Sequence, residues 1–86
     1  MAMKAIVYSR DAAKALRSMP ANTAATIRGK IEQYAAAPQT LANNVKALKG
    51  MAGTMRLRVG DWRIVFTETF EIIAIEKIAP RGDAYE

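Results

Sequence analysis

The chain has 86 residues, of which 51% are hydrophobic and 24% charged, and it contains neither cysteine nor histidine. This composition is typical of a folded globular protein, and we expect residues 1–86 to form one small domain. The lack of cysteine excludes disulfides and thiolate metal sites. The lack of histidine removes the usual general base and the commonest metal ligand, so we predict no metal and no other cofactor.

The net charge of +5 is unevenly distributed along the chain. Residues 1–67 carry a net +8, whereas residues 68–86 carry a net −3. A basic surface favours a polyanionic partner, nucleic acid first, although basicity that only keeps the protein soluble remains an alternative. The sequence has no apolar run near the roughly 20 residues of a membrane span, and MAMKAIVYSR has too short an apolar stretch for a signal peptide. We therefore predict a cytoplasmic protein without membrane contact.

The first half of the chain predicts one strand followed by two helices. Residues 4–8, KAIVY, are a β-branched run typical of a strand. Ser9 fits a helix N-cap, and the apolar residues after it recur at helical spacing up to Met19. Pro20 closes this helix and opens a second one, which runs to about Ala37 and stops before Pro38. We expect the two to form a helical hairpin.

The second half predicts a sheet. Residues 38–44, PQTLANN, are expected to be a loop, and residues 45–48, VKAL, are compatible with a short strand. Three clearer strands follow, MRLRV (55–59), WRIVF (62–66) and EIIAIEKI (71–78), the last apolar on both faces and therefore interior. The predicted fold class is α+β, in the order β-α-α-β-β-β, with the hairpin packed on one face of a small, mostly antiparallel four-stranded sheet.

The turn between the first two of these strands fixes which side chains share a face. Gly60-Asp61 predicts a two-residue type II′ turn, so Arg58 faces Arg63 across the strand pair and Leu57 faces Ile64. Apolar side chains, including that of Trp62, then lie on the helix side. We call the opposite side, which carries Arg56, Arg58 and Arg63, the arginine face.

Two functions are open for the arginine face. Like charges directly opposite each other destabilise a strand pair, and such conflicts tend to occur at functional sites. A phosphate site is the functional interpretation, because arginine offers a planar fork of donors and stays charged. Lys46 and Lys49 lie upstream and are candidates to extend this basic surface, although a solvated lysine is the more common interpretation of each alone. The structural alternative is an ordinary ion-pair network with Glu68, Glu71 or Glu76.

The motifs together resemble the RelE/ParE superfamily of toxins from bacterial type II toxin–antitoxin systems. LKG at 48–50, RLRVGDWRIVF at 56–66 and PRGDAY at 80–85 match the family pattern in order and spacing, and the N-terminal half follows its layout. The resemblance implies a cytoplasmic toxin that is silenced by a cognate antitoxin and that meets operator DNA only through the antitoxin complex. RelE-type members cleave mRNA in the ribosomal A site, and ParE-type members inhibit DNA gyrase.

The resemblance implies five catalytic positions of the RelE type, namely Arg56, Arg58, Arg63, Arg81 and Tyr85. RNA-binding residues in the same interpretation are Lys46, Lys49, Arg56, Arg58 and Arg63. The chain departs from the best-known members because its two strand positions are arginine rather than lysine, and arginine does not readily act as a base. The expected activity is a metal-independent endoribonuclease that works by 2′-OH attack. The alternatives are a ParE-like, non-enzymatic gyrase inhibitor and a toxin that only binds antitoxin and operator.

Overall fold

A five-stranded mixed sheet forms the centre of the fold. The structure is a computed structural model, which describes residues 4–48, 50 and 53–80. The strand order is β1-β5-β4-β3-β2, with β1 parallel to β5 and every other neighbouring pair antiparallel. The strands are β1 (Ala5–Tyr8), β2 (Val45–Ala47), β3 (Thr54–Val59), β4 (Trp62–Glu68) and β5 (Ile72–Pro80).

The two predicted helices are present and pack on one face of this sheet, which confirms the α+β class. Helix α1 spans Arg10–Ser18, and the Ser9 side chain caps it by accepting from the Ala12 amide at 3.0 Å. Helix α2 spans Ala21–Ala36 and ends just before Pro38, because proline disfavours helical backbone in the residue before it. Both helices bury one apolar stripe against the sheet, formed by Ala12, Leu16, Ala24, Ile27, Ile31, Tyr34 and Ala35.

Four local features differ from the sequence prediction. Residues 38–44 form 3₁₀ turns rather than a loop, and β2 is the fifth strand of a sheet that was expected to have four. A three-residue strand is too short to show a period, and β2 exists because Val45 pairs with Leu57. β4 extends to Glu68 rather than ending at residue 66, so the turn before β5 lies at 69–71. In this turn Thr69 Oγ1 accepts from the Ile72 amide at 3.0 Å. β5 also extends to Pro80, two residues beyond the predicted end of the strand at residue 78.

The β3–β4 hairpin has the predicted register. Arg58 pairs with Arg63 and Leu57 with Ile64, as a two-residue turn requires. Gly60 has a φ of +58°. Among the described residues, only glycines have a positive φ. Asp61 therefore keeps a negative φ, which agrees with the type II′ geometry that places glycine first. β5, flanked by β1 and β4, is interior as predicted.

The core side of the sheet ends in a small polar network. Tyr34 from α2 packs edge-on against Phe66, with ring centroids 5.2 Å apart, and its Oη donates to Glu68 Oε1 at 2.7 Å. Lys4 forms an ion pair with the other oxygen of Glu68. Burial, together with the hydrogen bond and the negative charge of Glu68, raises the pKa of Tyr34 to about 12. The network joins the beginning of the chain, α2 and the end of β4.

We predict that Tyr34→Phe lowers the free energy of unfolding at neutral pH by about 1.5 kcal/mol, the scale of a hydrogen bond to a charged group. Because folding raises the pKa of Tyr34, its contribution is complete below pH 10 and is lost as the pH rises towards about 12. Urea unfolding across this range should show the gap between wild type and variant closing. A gap that stays constant with pH would contradict the assignment.

Candidate active site

The arginine face lies opposite the helices, as the hairpin register requires. Arg56 and Arg58 project from β3 and Arg63 from β4, whereas the alternating residues Leu57 and Ile64 are buried in the core beneath the helices. Arg58 is exposed, and Arg56 is half-buried. Arg63 is only 7% exposed, so most of this guanidinium-bearing side chain is shielded from water. The three arginines that the sequence grouped together are on one face.

A row of side chains crosses four strands on this face. Lys46 of β2 pairs with Arg56, Arg56 pairs with Val65, and Val65 pairs with Lys77 of β5. Neighbouring strands are about 4.8 Å apart, so the row brings three cationic side chains onto one face of the sheet. A small apolar cluster of Val65, Ala79 and Leu48 lies among them. Lys46 thus extends the arginine face as predicted, and Lys77 is an addition to it.

Lys77 reaches the arginine face because of an irregularity in β5. Val65 pairs with Lys77 but Phe66 pairs with Ile75, so Glu76 is an extra residue in a β-bulge. The bulge shifts the alternation, and Ile75 and Ile78 both face the core although they are three positions apart. The three-residue spacing of Ile75 and Ile78 was the signal of the bulge in the sequence EIIAIEKI. A prediction that assumes strict alternation of apolar and polar residues does not detect the bulge.

A cavity of about 440 Å³ opens at the turn end of the arginine face. Arg58 and Arg63 line it together with Asn44, Gly60 and Asp61. Asn44, which the sequence did not single out, approaches through its Nδ2 group, which donates to the carbonyl of Arg58 at 3.4 Å. Arg63 Nη1 lies 3.5 Å from the carbonyl of Trp62. Two guanidinium groups that face each other across a strand pair can present several donors to one anion.

Of the carboxylates that were alternatives as arginine partners, Glu68 is excluded by the register. It lies on the helix side of the sheet, bonded to Tyr34 and Lys4. Glu71 is exposed in the β4–β5 turn. Glu76 is near the face, and its Oε2 accepts from Thr67 Oγ1 at 3.2 Å. Of the three carboxylates, only Glu68 is therefore ruled out as a partner of these arginines.

The remaining predicted residues divide into two groups. Trp62 is half-buried and packs against the core, as its alternation predicted. Lys49, Arg81 and Tyr85 lie outside the described residues, so their roles stay predictions. Pro80, the residue before Arg81, is opposite Trp62, one position beyond the pair formed by Arg63 and Ala79. β5 therefore ends at the side of the sheet where Arg58 and Arg63 line the cavity.

The helices of the described chain give no sign of a membrane segment, since none is long and apolar enough to cross a bilayer. Comparison with family models identifies the class of protein to which this fold and basic face belong. A model described as the ParE toxin of the type II toxin–antitoxin system parDE matches residues 6–85. The chain therefore belongs to the ParE toxin family, within the RelE/ParE superfamily of type II toxins. No relative among curated proteins matches the sequence at a significant level.

Several solved structures with the same fold contain RelE toxins. The archaeal RelE–RelB complex from Pyrococcus horikoshii OT3 matches with a TM-score of 0.78 at 24% identity, covering 96% of this chain and 100% of that one. The intact RelBE toxin–antitoxin complex from E. coli gives 0.72 at 15% identity, over 96% and 100%. The RelBE2 complex from Mycobacterium tuberculosis gives 0.68 at 18% identity, over 93% and 100%. At these identities the likeness establishes a shared fold.

We predict that Arg58→Gln makes the isolated protein more stable at low salt, by about 0.2–1 kcal/mol, because it removes a like charge facing Arg63. The gain should shrink at high salt, where the repulsion is screened. Urea unfolding at two ionic strengths measures both effects. Arg28→Gln on α2 is the matched control, since Arg28 is exposed on a helix outside this face. An Arg58→Gln protein that is no more stable than wild type at low salt would contradict the repulsion.

Proposed function

We propose that this toxin stops translation by cleaving mRNA on the ribosome, through attack of a ribose 2′-OH on the adjacent phosphate. The observation that carries the proposal is the pair Arg58 and Arg63, which face each other at the cavity on the arginine face. Such a concave group of permanent cations suits a phosphate, whose charge increases as the pentacoordinate phosphorane forms.

Each arginine has a distinct place in this mechanism. Arg58 is exposed, so it can contact the substrate directly, whereas Arg63 is held largely buried beside it. A buried guanidinium is already desolvated and oriented, and preorganised donors are the most effective at stabilising developing charge. Arg56 and Lys46 extend the binding surface along the backbone of the nucleic acid.

Proton transfer needs groups other than these arginines, because a guanidinium does not give up its proton in a protein. In this proposal Tyr85 stacks on a base or takes the 2′-OH proton, since guanidinium groups favour the phenolate form. Arg81 stabilises the negative charge that develops on the 5′-leaving oxygen, which takes its proton from water. Lys49 adds to the RNA-binding surface. The family pattern is the support for these three positions.

The proposal includes two partners. The ribosome supplies the positioning of a flexible mRNA strand that an 86-residue protein is too small to order alone. A cognate antitoxin, acidic or amphipathic, folds onto the toxin and covers the arginine face. Several of the similar solved structures are complexes of a toxin with its antitoxin, which supports this arrangement. Both partners imply a cytoplasmic toxin.

The test is primer extension on mRNA in a purified translation system. Wild type should produce discrete cuts, and Arg58→Gln should lower the cleavage rate by about 100- to 1,000-fold, the usual loss for one transition-state donor. Arg81→Ala and Tyr85→Ala should abolish cleavage without affecting antitoxin binding. Arg28→Gln should cleave like wild type. Unchanged cleavage by Arg58→Gln, or by both Arg81→Ala and Tyr85→Ala, would refute these assignments.

The second candidate function is ParE-like inhibition of DNA gyrase, and the match of the ParE toxin model to residues 6–85 favours it. The two functions predict opposite results in assays on the same protein sample. Under our proposal, purified toxin leaves plasmid supercoiling by gyrase unaffected at concentrations that cut mRNA in the translation system. Inhibited supercoiling together with intact mRNA would assign the toxin to the gyrase-directed branch instead.

A further inference from the structure

A second concavity, the α1 groove, borders the arginine face. Helix α1 starts beside β5, where Ser9 donates from its amide to the Ile75 carbonyl at 2.8 Å and from its Oγ to the Glu76 carbonyl at 2.7 Å. β1 ends at Tyr8, so beyond that point α1 lies along the edge of β5. The groove between them measures about 710 Å³ and is lined by Asp11, Lys14, Ala15, Ser18, Thr54, Val65, Thr67, Glu76, Lys77 and Ile78.

The α1 groove and the arginine face are continuous. Val65 and Lys77 line the groove, and they also belong to the row of side chains that contains Arg56. Arg63, which lines the phosphate cavity, pairs with Ala79, and Glu76 lies three residues from Ala79 along β5, about 10 Å at the rise of a strand. A nucleotide whose phosphate lies on the arginine face can therefore extend its base into the groove.

The bulge in β5 supplies the groove with an oriented carboxylate. Bulges re-aim side chains and are common near active sites, and here the extra residue is Glu76. Thr67 Oγ1 donates to Glu76 Oε2 at 3.2 Å, which fixes the carboxylate on the side of the sheet that carries the arginines. Glu76 is exposed, and within the described part of the chain no hydrogen bond is made to its Oε1.

We infer that the α1 groove holds the nucleobase next to the phosphate on the arginine face, and that Glu76 selects bases that present N–H donors, guanine above the others. The inference rests on the proposed mRNA cleavage and gives it a sequence preference. Guanine presents N1–H and N2–H side by side on its Watson–Crick edge, which a carboxylate can accept as a pair. Uracil presents one N–H between two carbonyl oxygens, and these repel a carboxylate.

The charge of the groove fits a base better than a second phosphate. Asp11 and Glu76 contribute two carboxylates to its lining, against the cations Lys14 and Lys77. The arginine face is cationic, so phosphate and base have separate places on one continuous surface. Serine and threonine hydroxyls complete the lining and can serve as donors or acceptors for the remaining base atoms.

The experiment uses four mRNAs that differ only in the base adjoining the cut phosphate, in the purified translation system, with cleavage rates from primer extension. Wild type should cleave the guanine template at least about tenfold faster than the uracil template, the usual discrimination of a good bidentate pair. Glu76→Gln should reduce this ratio towards one. Glu71→Gln, which removes the same charge from the exposed β4–β5 turn, should keep the wild-type ratio.

Each outcome decides the inference. If wild type and Glu76→Gln both cleave and have the same guanine-to-uracil ratio of cleavage rates, base selection by Glu76 is overturned. The proposal of mRNA cleavage would still stand. A uniform loss of cleavage on all four templates would assign Glu76 to chemistry or folding and would also overturn it. Thr67→Val removes the hydroxyl that orients Glu76 and gives an independent check if Glu76→Gln does not fold. Its guanine-to-uracil ratio of cleavage rates should be greater than one but smaller than that of wild type. A wild type that cleaves none of the templates would refute mRNA cleavage itself.

Discussion

The two-residue turn at Gly60 and Asp61 is the constraint on which the site depends. It pairs Arg58 with Arg63 and, in the same register, places Leu57 against Ile64 in the core. A slip of one residue would move every side chain of a strand to the other face, which would bury guanidinium groups under the helices and expose isoleucine and phenylalanine. The hydrophobic core thus enforces the arrangement of the arginines, although it contains none of them. Repulsion between Arg58 and Arg63 is tolerated because the burial of apolar side chains on the opposite face outweighs it.

Alternation within the hairpin was enough to predict its register, the arginine face and the core position of Trp62. Helix bounds were equally accessible, because Ser9 and Pro38 are local signals that act on their own backbone neighbours. What the sequence did not reveal depends on pairing between distant residues. β2 is a strand only because β3 accepts it, and the bulge at Glu76 is visible only once β5 is set against β4. Lys77 was therefore not assigned to the arginine face, and Glu76 was not recognised as the bulge residue beside it. Glu68 stayed among the possible partners of the arginines because its bond to Tyr34, on the helix side of the sheet, is visible only in the fold.

The family model and the similar solved structures belong to two different branches of one superfamily. A ParE model covers nearly the whole chain, and several of the similar structures contain RelE toxins. A shared fold does not fix a target, because function depends on the side chains that the fold presents. Here the helices and the core face of the sheet account for the fold. The opposite face presents the cationic row from Lys46 to Lys77, with Glu76 beside it.

The parallel pairing of β1 with β5 has a consequence for the synthesis of the protein. Ala5 pairs with Ile72, so the first strand to leave the ribosome waits for the last one before it can join the sheet. β4, which bears Arg63, also needs β5 as its second neighbour. A nascent chain shorter than about seventy residues contains the arginines but not the sheet that orients them. The fold therefore assembles the sheet that orients the arginine face only after β5 has been synthesised.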